Sequence, residues 1–165
     1  MKELVLQEIH SGGQYGADLT GLEVAKALGL KTGGIAPKGW RVCNPDGTNG
    51  TNPSLAEYGL TEHWSSDYPP RTILNVGSTD GTVVFGYLKS PGAKLTIDAA
   101  QAAGKHLITN PDAIALRDWL IKHQIRVLNV AGNRLSDHNP GIVEQVRTTL
   151  TEALTGSNYT QLALL

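Results

Sequence analysis

Short apolar runs alternate with stretches of helical spacing along almost the whole chain, and this alternation limits the fold more than any other feature. Residues 5–9 (VLQEI) read as a strand. Leu19, Leu22, Ala25 and Leu28 follow at helical spacing, with Asp18 placed to cap the helix and Gly29 just past its end. Further strands are expected at 33–36 (GGIA), 82–88 (TVVFGYL), 106–109 (HLIT) and 126–131 (RVLNVA). Helices are expected at 71–77, at 95–103, after an Asn110-Pro111-Asp112 start, and from Pro140 along the face Val143, Val146, Leu150 and Leu154. Strands alternating with helices imply a parallel sheet covered on both faces. The expected class is α/β, with about five strands and helices on both faces.

Residues 37–68 break the pattern, because Pro, Gly, Asn, Thr and Ser dominate and no period survives. So long an irregular loop is expected to be functional, or to hide short elements. The tail NYTQLALL (158–165) is apolar enough to need a partner, in the core or in another subunit. A length of 165 residues with 40% hydrophobic and 18% charged residues fits one domain, 1–165, with a real core. Lys plus Arg number 14 against 15 Asp plus Glu. That balance supplies no global field to draw in nucleic acid or an anionic membrane. The single cysteine, Cys43, excludes an intramolecular disulfide and suits a reducing cytoplasm. The apolar run at the start is too short and too interrupted for a signal peptide, and no run approaches the roughly 20 apolar residues of a membrane span.

Ligands of open parallel sheets bind outside the carboxyl ends of the strands. That rule singles out the loops at 11–18, 37–41, 87–96 and 132–137, all rich in Gly, Ser, Thr, Lys or Arg. In the first, Ser11, Gly12, Gly13 and Gly16 form S-G-G-x-x-G, which lets backbone N–H groups approach an anion at a helix start. It is not the dinucleotide pattern G-x-G-x-x-G. The acidic residue expected at the end of the second strand is replaced by Lys38 and Gly39, with Arg41 just beyond. Taken alone, glycines that merely make a tight turn explain the loop equally well; these cations favour phosphate over a bare ribose and tip the reading toward an anion site. Arg71 and Asn75, four apart, share a helix face, and Ser78, Asp80 and Thr82 lead into the third strand. Gly92, Lys94 and Thr96 sit at a second helix start, and Asn133, Arg134 and Ser136 at the exit of the fifth strand. Each has an ordinary reading as a cap, a turn residue or a solvated charge.

Catalytic patterns are absent: nothing matches G-x-S-x-G, a Walker loop or H-E-x-x-H. The five histidines lack ligand spacing, so neither a metal site nor a catalytic residue is assigned. Trp40 and Trp64 can stack on a flat ring, whereas Trp119 reads as core.

Taken together, SGGQYGADLTGLEVAKALGLKTGGIAPKGW (11–40), YPPRTILNVGSTDGTVV (68–84), KLTIDAA (94–100) and VLNVAGNRLS (127–136) resemble the putative molybdenum carrier family across nearly the whole chain. The resemblance implies a Rossmann-like three-layer fold, related to the lonely-guy phosphoribohydrolases, and homo-oligomers, commonly tetramers. It implies molybdenum cofactor as ligand, a molybdopterin dithiolene bearing a phosphate, held until a molybdoenzyme or a cofactor-synthesis protein exchanges it. The cofactor-binding residues would be Ser11, Gly12, Gly13, Gln14, Gly16, Lys38, Gly39, Arg41, Arg71, Asn75, Ser78, Asp80, Thr82, Gly92, Lys94, Thr96, Asn133, Arg134 and Ser136. WRVCNPDG departs from the family pattern after P-K-G, and SPGAKLTID lacks the P-G-G-x-G-T-x-x-E of the phosphoribohydrolases. The alternatives are a nucleotide or sugar-phosphate binding module, or a phosphoribohydrolase-like enzyme using Asp80 or Asp98.

Overall fold

The computed structural model describes residues 2–156. The elements are β1 (Glu8–His10), α1 (Ala17–Ala27), β2 (Lys31–Ala36), β3 (Arg41–Cys43), β4 (Asn49–Thr51), β5 (Leu60–Glu62), α2 (Tyr68–Gly77), β6 (Gly81–Phe85), α3 (Pro91–Ala102), β7 (His106–Thr109), α4 (Ala113–Lys122), β8 (Val127–Gly132) and α5 (Ile142–Thr155). The central sheet runs β5-β2-β1-β8-β6-β7, with every pairing parallel. Helices α1, α4 and α5 pack together against it, and α2 and α3 form a second group. The result is a Rossmann-like three-layer arrangement. Strand β6 is buried at every residue, as its uninterrupted apolar run requires.

The central sheet has one strand more than expected, β5, and it comes from the 37–68 segment. That segment contains two short 3-10 turns (Lys38–Trp40 and Pro53–Tyr58), the antiparallel hairpin β3–β4 and the edge strand β5. Val42, Leu55 and Leu60 from it join Leu22 and Ala36 in a small satellite core. The larger core gathers Ile9, Val83, Phe85, Leu116, Leu128, Val130, Ile142 and Leu150 around the sheet, with Trp119 partly buried against it.

Three boundaries move for local reasons. Gly86, at φ 103, ends β6 at Phe85 instead of 88, and the Asn110 amide holds it there by accepting from its N–H and donating to its carbonyl. Asn110 is thereby diverted from capping, and Asp112 caps α4 by accepting from the Ala115 N–H. Ser90 caps α3, so the helix expected from 95 begins at Pro91. The apolar 158–165 stretch lies outside the described residues.

Candidate functional site

A cleft of about 870 Å³ opens where the carboxyl ends of β1 and β8 meet the starts of α2 and α3, with the β3–β4 hairpin forming one wall. This is a size that holds a drug-sized ligand. In the sheet order β1 and β8 are neighbours at the point where the order reverses: the chain leaves β1 toward β2 on one side, builds β6 and β7 on the other, and returns to add β8 last, between β6 and β1.

Arg71 is built into the lining by the first turn of α2. Its side chain is 12% exposed and faces Asp18 of α1, which is 9% exposed, across 3.6 Å from Nη1 to Oδ2. That separation suits an ion pair and is too long for a hydrogen bond. Among the described residues the guanidinium finds no hydrogen-bond acceptor, and its Nε is sealed from solvent without one. The Tyr68 hydroxyl is likewise buried without a partner among the described residues. Such groups cost about 1–3 kcal/mol each when left unsatisfied, so they are uncommon without a purpose. Gly12 makes the arrangement possible, because a Cβ there would lie 1.8 Å from Arg71 Nη1.

Burial pushes the Asp18 carboxyl above its usual range, while Arg71 and the N–H groups of Gln14 and Gly12 pull it back. Burial also lowers the pKa of Arg71, with Asp18 and Tyr68 acting in the opposite sense. The Tyr68 ring has two guanidinium neighbours, Arg41 at 4.7 Å and Arg71 at 5.6 Å from its centre. Gln14 ties the first loop to the hairpin, donating from Nε2 to the Arg41 carbonyl and accepting at Oε1 from the Cys43 N–H. Asn133 joins the loops after β6 and β8, accepting from the Tyr87 N–H and donating to the Tyr87 carbonyl and Ser90 Oγ.

Of the residues named from the sequence, Gly12, Gln14, Arg71, Asn75, Gly92, Thr96, Asn133, Arg134 and Ser136 lie on this cleft. Others support it from beneath. Ser11 Oγ accepts from the Gly13 N–H and donates to the Asp18 carbonyl, and Gly13 packs on Leu55. Gly16 bridges to Arg134 through the backbone, and buried Thr82 accepts from Asn129. Asn75 lies on the cleft yet spends its amide on structure, accepting from the N–H of Ile35 and donating to its carbonyl. Arg41 sits outside the lining and donates to the Ser66 carbonyl.

The remaining five are not brought to it. Lys38, Gly39 and Lys94 are exposed and outside the lining. Ser78 ends α2 by donating to the Leu74 carbonyl. Asp80 lies at the opposite, amino end of the sheet, accepting from the N–H groups of Arg126 and Val127. Asp98, in α3, is exposed and outside the lining too. Trp40 and Trp64 do not line the cleft; the aromatic residues that do are Tyr68 and Tyr87, the latter 65% exposed. Tyr87 could have been found from Gly86, since an isolated glycine in a strand pattern signals a bend. Among the described residues no cluster of three or more His, Cys, Asp or Glu side chains forms, and no helix is long and apolar enough to cross a membrane.

Comparison with known proteins adds the following. The model of the circularly permutated YpsA SLOG family matches residues 9–154. A solved structure named as a putative molybdenum carrier protein from Syntrophus aciditrophicus is 32% identical, with a TM-score of 0.82 over 94% of this chain and 98% of that one. A second, (E)-4-hydroxy-3-methylbut-2-enyl diphosphate reductase, is 11% identical, with a TM-score of 0.39 over 89% of this chain and 59% of that one, too low to carry an argument. No curated protein matches.

Proposed function

This chain belongs to the circularly permutated YpsA SLOG family, and on that premise we propose that its cleft binds molybdenum cofactor and carries it rather than turning it over. One observation carries the reading. Arg71 is a buried arginine with no hydrogen-bond acceptor among the described residues, at the lining of a cleft wide enough for a pterin. A fork of N–H donors in that state suits an oxyanion, whether the phosphate or the molybdate end of the cofactor. The backbone at Gly12 allows close approach there, and the start of α3 adds the positive end of a helix dipole. Tyr87 at the mouth offers a ring on which the pterin can stack, and the amides of Asn44 and Asn139 line the cleft within reach of polar edges. The name of the 32% identical relative points the same way.

The reading extends to a cytoplasmic homo-oligomer, a tetramer, that exchanges cofactor with molybdoenzymes or cofactor-synthesis proteins. The enzyme alternative loses its two acids, since Asp80 and Asp98 both lie off the cleft. Native mass spectrometry after anaerobic incubation with purified cofactor, in competition with GTP and AMP, tests the proposal. One cofactor per chain, retained against both nucleotides, is the expected result. A mass gain with nucleotide alone would overturn it in favour of a nucleotide-binding module.

A further inference from the structure

We infer that an oxyanion seated at Arg71 is taken up together with one proton, which comes to rest on the Asp18 carboxylate. The inference rests on the reading of the cleft as an oxyanion site. It follows from the charges already in place. Without ligand, one guanidinium faces one carboxylate at 3.6 Å, and both side chains are nearly sealed from water. An oxygen that accepts from Arg71 must sit close to Asp18, and two anionic oxygens in a dry site cannot both keep their charge. Asp18 has little room to turn aside. Its Oδ2 accepts from the Gln14 N–H at 3.3 Å, and its backbone carbonyl is held by Ser11 Oγ at 2.9 Å. A proton on the carboxyl converts repulsion into an O–H donor beside the incoming oxygen.

The other groups that face this point do not offer the same relief. From α2 come Arg71 and the Tyr68 ring, with Arg41 beyond that ring. Cys43 from β3, Tyr87 after β6, and Arg134 and His138 after β8 complete the titratable groups on the lining. Asp18 is the one carboxylate among the lining residues. Burial has already moved it toward the protonated form. The ligand class is therefore a dianionic oxyanion, such as a phosphate monoester or molybdate, which keeps its own charge while the proton on Asp18 lowers the net negative charge entering the site by one. The balance is simple: the dianion and one solvent proton enter, and no bond to phosphorus or molybdenum changes.

Calorimetric titration of the full chain with sodium molybdate and with inorganic phosphate tests this, at pH 8 in buffers of different ionisation enthalpy. About one proton taken up per anion is expected, with Kd weakening about tenfold for each pH unit raised. Asp18→Asn mimics the protonated acid, so it should bind tenfold or more tightly at pH 8, with no proton uptake and a flat pH profile. His138→Gln should still take up the proton. The native buffer series decides alone should Asp18→Asn fail to fold. Binding without proton uptake, uptake that survives in Asp18→Asn, or no anion binding at millimolar concentration would each overturn the inference. A parallel titration with molybdenum cofactor separates the two readings. Inorganic anions binding with a proton while the cofactor fails to bind would sink the carrier proposal alone. Cofactor and inorganic anions both binding without a proton would sink this inference alone.

Discussion

At the amino end of the sheet the Asp80 carboxylate accepts from two backbone N–H groups at 3.0 and 2.9 Å, and Ser78 closes α2 on the Leu74 carbonyl. At the carboxyl end Arg71, far more buried, finds no acceptor among the described residues, and the Tyr68 hydroxyl beside it finds no partner. The contrast separates two uses of polarity. At the amino end, charge serves the fold and is satisfied by it. At the carboxyl end the fold carries a cation that is ion-paired but has no hydrogen-bond acceptor among the described residues, and a cleft stands beside it. A site of this kind shows up as an unmade hydrogen bond more clearly than as an unusual residue.

The largest effect that can test this contrast comes from Arg71→Met. Losing a charge-assisted fork of donors should weaken oxyanion binding about 100-fold, on the order of 3 kcal/mol, as read by calorimetry. The same variant leaves Asp18 buried and unpaired, so unfolding by urea at pH 7 should show a loss of about 3 kcal/mol. The sign with pH follows from the raised carboxyl. A carboxyl raised in the folded state binds its proton more tightly there than in the unfolded chain. Stability therefore increases as pH falls through the folded pKa, and the deficit of Arg71→Met should shrink toward pH 4. A deficit that grew on acidification would mean that the pair is held by something other than charge.

Asn75→Leu tests whether a residue on the cleft can belong to the structural class. The Gly33 carbonyl accepts from the Ser11 N–H on the β1 side, and two residues on, Ile35 presents its N–H and carbonyl in that same direction. There β1 has left the sheet, and the Asn75 amide bonds both groups at 2.9 Å in its place. Removing it should cost about 2 kcal/mol in urea unfolding. Destabilisation without a change in the stoichiometry of ligand binding would keep Asn75 with the fold.

The cleft's position was legible in the sequence, and its chemistry much less so. Strand–helix alternation and the glycines at 12, 13 and 16 are local signals, and the crevice rule turns them into a place. The 37–62 elements were not legible, because strands of three residues have no period to detect and are held by contacts such as Leu55 in the satellite core. Arg71 and Ser78 both read as cofactor-binding residues of one stretch. Yet α2 is a ten-residue helix, about 15 Å long, and it carries the first to the cleft and the second toward the far end. Nothing in the spacing says that Arg71 goes without an acceptor. That depends on Gly12 and Asp18, more than fifty residues away in the chain.

Asp80→Ala sharpens the comparison from the other side. Two backbone donors lose their acceptor at a solvent-exposed strand end, so a loss of about 1 kcal/mol is expected. Oxyanion affinity should stay within about twofold, because no part of this network touches the cleft. A larger drop in affinity would show that the two ends are coupled through β6 and β8.

The smallest effect is also the one on which sequence pattern and geometry disagree most. Lys38, in the P-K-G that ends the second strand, reads as a phosphate ligand, and on that reading Lys38→Ala weakens binding as much as any loop cation. The structure gives it a different setting. Its backbone N–H donates to the Ser65 carbonyl, while its side chain is exposed and outside the cleft. An exposed ammonium with no contact acts on a bound anion only through water and salt, so affinity should change less than about threefold at physiological ionic strength. Stability should move by less than about 0.5 kcal/mol. The two contributions are separable by salt. A purely long-range Lys38 effect should vanish as ionic strength rises, whereas the Arg71 effect, from a nearly buried side chain in direct contact with the anion, should persist. A Lys38→Ala loss that survived high salt would mean that the 37–41 turn folds onto the ligand, and that the boundary between the two kinds of polarity lies beyond the lining of the cleft.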